Sequence, residues 1–172
     1  MRISHFSSSY LARTVLASAW GVLCALVLAA PLLELHSCRA SSSILYLLFS
    51  CICHQIPERS FLISGHALAV CHRCSGIYIG MFLGSFLGYR TIRSQMKARR
   101  LLVLAAVIPI LLDWLASIAG FWTGTAMIRF STGLLFGTLI SPLFMCAFTE
   151  FLNEAPWRKL QMQILQLKGD LS

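Results

Sequence analysis

The sequence predicts an all-α integral membrane protein: a four-span helical bundle with a short extra helix on its outer side. Three observations lead there. Of the 172 residues, 58% are hydrophobic and only 12% charged, against about 45–50% and about 25% in an average soluble domain. A soluble monomer of this size could not cover so much apolar surface, and so apolar a chain does not remain disordered. Apolar stretches of membrane-crossing length recur along the chain, and the basic residues behind the formal net charge of +8 gather at their ends.

The first stretch, Thr14–Leu33, has 20 residues and no charge, enough to cross a hydrocarbon core about 30 Å thick. Arg2 and Arg13 ahead of it also suit a cleaved signal peptide, but the run is long for one and reads as a retained span. A polar loop follows over Glu34–Ser43. Ile44–Cys53 is apolar but only 10 residues long, so it reads as a re-entrant or interfacial helix. Pro57–Ser60 interrupts the chain, and Phe61–Val70 reads as a connector. The second span is expected from Cys71 to Tyr89. Within it Gly76, Gly80, Gly84 and Gly88 recur every four residues, lining one helix face so that a neighbouring backbone can approach closely.

Leu101–Gly120 makes the third span, with Pro109 as its expected kink. The fourth runs over Ile128–Phe151. Beyond Pro156, Leu160, Ile164 and Leu167 share one face of an expected amphipathic surface helix. Residues 1–13 read as a cytoplasmic amino terminus, 14–152 as the transmembrane domain with an outer Cys/His loop at 34–74, and 153–172 as a cytoplasmic tail. Arg90, Arg93, Lys97, Arg99 and Arg100 lie in one short loop, and Arg158, Lys159 and Lys168 follow the last span. By the positive-inside rule this loop and both termini are cytoplasmic. The same distribution argues against nucleic-acid binding, because no separate soluble domain carries the charge.

Five of the seven cysteines fall between residues 38 and 74, on the expected outer side. The motif pieces are Cys51-Ile-Cys53-His54 and Cys71-His72-Arg73-Cys74. Two such groups resemble the ligand set of a tetrahedral thiolate-rich metal site, zinc above all. Cys71 and Cys74, three apart, share a helix face. Cys53 and His54 are adjacent, so their side chains diverge, and Cys51 with His54 is the alternative pair. An outer CxxC also suits a disulfide or a redox thiol pair. Cys24 and Cys146, inside spans, read as packing residues, and His66 and His72 as surface histidines. Asp113 is the acid inside the third span. Such a group costs about 2.5–3.5 kcal/mol on insertion scales and needs a partner. Twelve residues of helix place it about 18 Å from the cytoplasmic end, and Arg129 is the expected counter-charge. A hydrolase finds no serine–histidine–acid set or carboxylate pair to rest on.

Cys53-His54-Gln55-Ile56-Pro57-Glu58-Arg59-Ser60-Phe61, Gly65 and Val70-Cys71-His72-Arg73-Cys74-Ser75-Gly76-Ile77-Tyr78-Ile79-Gly80 resemble the DUF2085 family of small prokaryotic membrane proteins. Asp113, Arg129-Phe130-Ser131-Thr132-Gly133 and Gly137 resemble its carboxy-terminal half. The resemblance covers roughly residues 44–140. It implies a prokaryotic inner (cytoplasmic) membrane, favours Cys53 over Cys51, and draws Gln55, Arg59 and Arg73 into the site. Arginines beside thiolates would lower thiol pKa values or balance a thiolate–metal charge.

The leading expectation is a metal-binding membrane protein, with one divalent ion, zinc by its chemistry, held by Cys53, His54, Cys71 and Cys74. Its partners would be the lipid bilayer and other membrane-protein subunits, and it would act as an accessory component without catalysis. The alternative is a membrane thiol–disulfide oxidoreductase in which Cys71 attacks and Cys74 resolves. A transporter built on Asp113 is weaker, with a single intramembrane acid.

Overall fold

The computed structural model describes residues 3–87, 96–120 and 124–154. These contain α1 (Ile3–Leu35), α2 (Arg39–Ser50), α3 (His72–Gly84), α4 (Met96–Ile118) and α5 (Ala126–Glu154). A 3-10 turn at Pro57–Arg59 and the strands β1 (Leu62–Ile63) and β2 (His66–Ala67) lie between α2 and α3. Gly88, Arg90, Arg93, residues 121–123 and the expected surface helix in 155–172 lie outside the described residues.

Among the described residues, three helices are long and apolar enough to cross a membrane, over Tyr10–Leu35, Lys97–Ile118 and Ala126–Leu152. Each begins a few residues before its expected start, and α1 continues the first span back to Ile3, so the expected amino-terminal segment is helical from there. The helix expected over 71–89 is shorter. α3 has 13 residues, about 20 Å at 1.5 Å per residue, less than the hydrocarbon thickness. Its end meets another helix: Arg13 of α1 donates from Nε to the Ser85 carbonyl at 3.1 Å and from Nη2 to that of Phe86. Carbonyls that a longer helix would have used are taken by this guanidinium.

α2 begins at Arg39 and ends at Ser50, earlier than the apolar run from Ile44 to Cys53 suggested. The serine-rich start is helical because Ser42, 2% exposed, donates its hydroxyl to Ala30 of α1 at 2.9 Å. Ending at Ser50 releases Cys51–Ile56 from helical geometry. The expected connector contains a hairpin, with Leu62 opposite Ala67 and Ile63 opposite His66. Ser64 and Gly65 turn it with φ of 49° and 86°, the two left-handed positions of a two-residue hairpin turn. His66 is tied to α1 by a 3.3 Å contact with Glu34.

The bundle is organised around α3 and α5, which run parallel with their backbones in contact. Gly76 faces Phe130 and Leu134, Gly80 faces Leu134 and Thr138, and Gly84 faces Thr138 and Ser141. Gly133 and Gly137 of α5 answer from the other side, against Arg73 and Ile77 of α3. Further along, Ser141 donates to the Met81 carbonyl at 2.9 Å. α1 runs antiparallel to α3, with Trp20 stacked on Tyr78 at 6.2 Å between centroids. α4 runs antiparallel to α5: Arg99 meets Glu150 at one end, while Asp113 reaches Arg73 at the other. The outward face of α4, including Leu101, Leu104, Leu112 and Ile118, is exposed, as a surface covered by lipid would be.

Candidate metal centre

The site forms at the end of the bundle where α3 and α5 begin. Val27 and Ala30 of α1, Phe49 of α2, and Leu68, Ala69 and Val70 form one buried apolar cluster, and Cys53 belongs to it. Cys71 and Cys74 pack against the same cluster, half-buried. Gln55 holds the two motif segments together. Its side-chain amide donates to the Tyr46 carbonyl at 2.7 Å and to that of Ala69 at 2.8 Å. Gln55 does this from a left-handed backbone conformation, φ 50°, which an L residue adopts only where its surroundings impose it. Replacing Gln55 with Ala removes two hydrogen bonds and leaves two carbonyls to find new partners. The expected loss is about 1–3 kcal/mol, read as a lower unfolding midpoint.

Cys71 is the N-cap residue of α3, and its backbone N–H donates to Cys53 Sγ at 3.2 Å. Cys74 follows one helical turn later. The three Sγ atoms of Cys53, Cys71 and Cys74 all lie within 4.8 Å of one another. Hydrogen bonds from the thiols of Cys53 and then Cys74 pull the Cys71 thiol well below the ordinary cysteine range. A tetrahedral zinc with sulfur at about 2.3 Å separates its sulfurs by about 3.8 Å, so the trio fits an ion with a small inward movement.

Burial separates Cys53 from its neighbours. Cys53 is 6% exposed, whereas Cys51 and His54 are exposed. Cys51 directs its thiol toward the Leu47 carbonyl, 3.9 Å away. Outside the helix, adjacent side chains alternate, and His54 consequently lies on the cavity wall rather than among the three sulfurs. That cavity, about 470 Å³, is bordered by the cysteines, His54, Gln55, Arg59, Arg73, Arg129 and Trp114.

Asp113 is 8% exposed and accepts a hydrogen bond from Arg73 Nη2. The sequence points to Arg129 as the counter-charge; Arg73, which the first turn of α3 presents to α4, forms an ion pair with Asp113. Arg129 lines the cavity beside it. His72 also differs from expectation. It is 7% exposed and packs edge-on against Phe61 at 4.4 Å, and Phe61 meets Phe130 of α5 at 5.7 Å. Asp113→Ala leaves a guanidinium without its partner in a largely buried setting and is expected to destabilise the protein by about 3–5 kcal/mol. Replacing both Arg73 and Asp113 with apolar residues should recover most of that loss; a double variant as unstable as the single would show that the pair is not the cause.

A family model described as a predicted membrane protein, DUF2085, matches residues 53–143, beginning at Cys53 and taking in the other two sulfurs, Asp113, Arg129 and both glycine faces. The chain belongs to the DUF2085 family. Over 86 residues it is 40% identical to an uncharacterised protein of Methanothermobacter thermautotrophicus, covering 50% of this chain and 78% of that one. Over 96 residues it is 38% identical to an uncharacterised protein of Methanocaldococcus jannaschii, covering 54% of this chain and 61% of that one. No solved structure matches. Membership in the DUF2085 family agrees with the apolar helices: the chain is a membrane protein with archaeal relatives.

Proposed function

We propose that this protein binds one divalent metal ion, zinc by its chemistry, through Cys53, Cys71 and Cys74, and that it serves as a structural or accessory component of a membrane assembly. The observation carrying the proposal is the convergence of three sulfurs within 4.8 Å of one another. The backbone N–H of Cys71 directed at Cys53 Sγ would fix a ligating thiolate, as outer hydrogen bonds do in metal sites. The fourth donor comes from the cavity side, where His54 stands. The ion would fasten the segment after α2 to the start of α3.

Orientation is part of the proposal. Arg13, Lys97, Arg99 and Arg100 lie at the end of the bundle opposite the sulfurs, which supports a cytoplasmic basic end and an outer metal site in an inner (cytoplasmic) membrane. A passage of the chain between the two ends over residues 72–96 would complete four crossings, although α3 alone is short. The test is metal analysis of purified protein with thiol counting. About one metal per chain is expected, with three thiols becoming reactive only after chelation. Metal-free protein whose thiols appear on reduction alone would overturn the proposal.

The three neighbouring sulfurs also support a second reading, thiol–disulfide exchange. The Cys71 thiolate would attack one sulfur of a substrate disulfide and expel the other as a thiolate. Cys74 or Cys53 would then displace the reduced substrate, leaving a disulfide within the protein. Reduction-dependent thiols in the same assay favour this reading.

A further inference from the structure

The cavity beside the sulfurs carries a charge pattern that metal binding does not require. Its wall includes Arg59, Arg73 and Arg129 with His54 and His72, and no carboxylate is among its described lining residues. α3 and α5, running parallel, both begin here, so the positive ends of two helix dipoles add to the guanidinium charge. A second cavity of about 320 Å³ shares Arg59, His72 and Arg129 with the first, and there Glu58 joins the wall.

An independent observation lies in the buried polar atoms. Among the described residues, the buried side-chain atoms without a hydrogen-bond partner are His72 Nδ1, Arg73 Nε, Ser75 Oγ and Asp113 Oδ1. Three belong to the first turn of α3, and the fourth to the carboxylate paired with it. His72 is more than nine-tenths buried and lines both cavities. Buried polar groups are ordinarily satisfied; of these residues His72 and Arg73 line the cavity, so their unpartnered nitrogens mark a place where polar atoms beyond the protein's own belong.

We infer that this cavity binds an oxyanion group, a carboxylate or phosphate, between Arg59 and Arg129 at the amino-terminal ends of α3 and α5. Guanidinium forks match the geometry of both groups. The guanidinium groups of Arg59, Arg73 and Arg129 all border the same cavity. Trp114 and Ile118 supply an apolar wall and are themselves 49% and 65% exposed, so the cavity borders a face that lipid would cover. The same chemistry therefore has two sources, a soluble anion or the headgroup of an anionic lipid. The inference does not depend on the metal.

The experiment uses the full chain in zwitterionic nanodiscs. Binding of radiolabelled inorganic phosphate is measured by equilibrium dialysis, and retention of phosphatidylglycerol from mixed lipid by native mass spectrometry. Metal content is determined on the same preparations. One probe should bind at about one per chain. Arg59→Gln, at an exposed position, should weaken it several-fold, and the Arg59→Gln/Arg129→Gln double variant by about ten-fold or more. Arg99→Gln, at the opposite end beside Glu150, should bind as the parent does. Phosphate binding identifies a soluble source, and selective lipid retention a headgroup; either supports the inference. Binding that ignores Arg59→Gln, or neither probe bound, overturns it. Loss of metal with anion binding intact would remove the proposed function and leave this site standing.

Discussion

Serine in place of Cys53, Cys71 or Cys74 is expected to abolish the proposed metal binding, whichever of the three is changed. Each of these residues supplies one of three sulfurs that meet within 4.8 Å, and a hydroxyl does not replace a thiolate toward a borderline-soft ion. Disturbing an outer hydrogen bond of a metal site already lowers affinity about 10- to 100-fold, so losing a direct ligand should exceed that. Cys51→Ser should leave metal content unchanged, because the Cys51 thiol is exposed and turned toward Leu47. His54→Ala should weaken retention less than any of the three serines, since its side chain stands on the cavity wall. Equal losses for His54→Ala and Cys74→Ser would make His54 a full ligand. Full metal content after any of the three serine substitutions would dismantle the site. Because the proposed ion would hold the segment after α2 against α3, chelation should also lower the unfolding midpoint.

Much of this was legible in the chain, for physical reasons that differ by residue. Apolar runs report membrane helices because the bilayer demands about 20 such residues, and α1, α4 and α5 lie where those runs are. α3 was harder to bound. The apolar sequence continues past Gly84, but the helix ends where Arg13, 72 residues away in sequence, takes the Ser85 carbonyl. No local pattern carries such a contact. The hairpin was concealed similarly: Ser64-Gly65 is a turn signal, but two-residue strands are too short to alternate visibly. Within the site, Cys71 and Cys74 announce themselves by spacing, whereas Cys53 is separated from Cys51 only by burial. Arg73 was missed as the partner of Asp113 because the two are 40 residues apart and meet through helix packing. The answering glycines, Gly133 and Gly137, did leave a trace in their four-residue spacing.

Those glycines set the second large effect. Gly80→Leu is expected to unfold the bundle or abolish its accumulation in the membrane. A Cβ at Gly80 would fall 2.9 Å from the Thr138 backbone nitrogen, and one at Gly137 would fall 2.8 Å from that of Met81. Backbone cannot rotate aside as a side chain does, so even alanine forces α3 and α5 apart. Overpacking of this kind costs about 1–3 kcal/mol and sometimes more, and the four-carbon leucine side chain should lie at the upper end. Leu83→Ala, on an exposed face of α3, supplies the mild control. Position along the stripe then separates stability from function. Gly133 lies against the backbone of Arg73, with the Ile77 nitrogen 3.2 Å from a Cβ added there. Gly133→Ala should therefore displace the turn that carries Cys71 and Cys74 and weaken metal retention in protein that still folds. Gly84→Ala, at the far end against Thr138 and Ser141, should destabilise with metal content preserved in the folded fraction. Unfolding midpoints and metal per folded chain for the two variants measure both effects; equal metal loss at the two ends would mean that α3 moves as a rigid rod and the distinction between the ends fails.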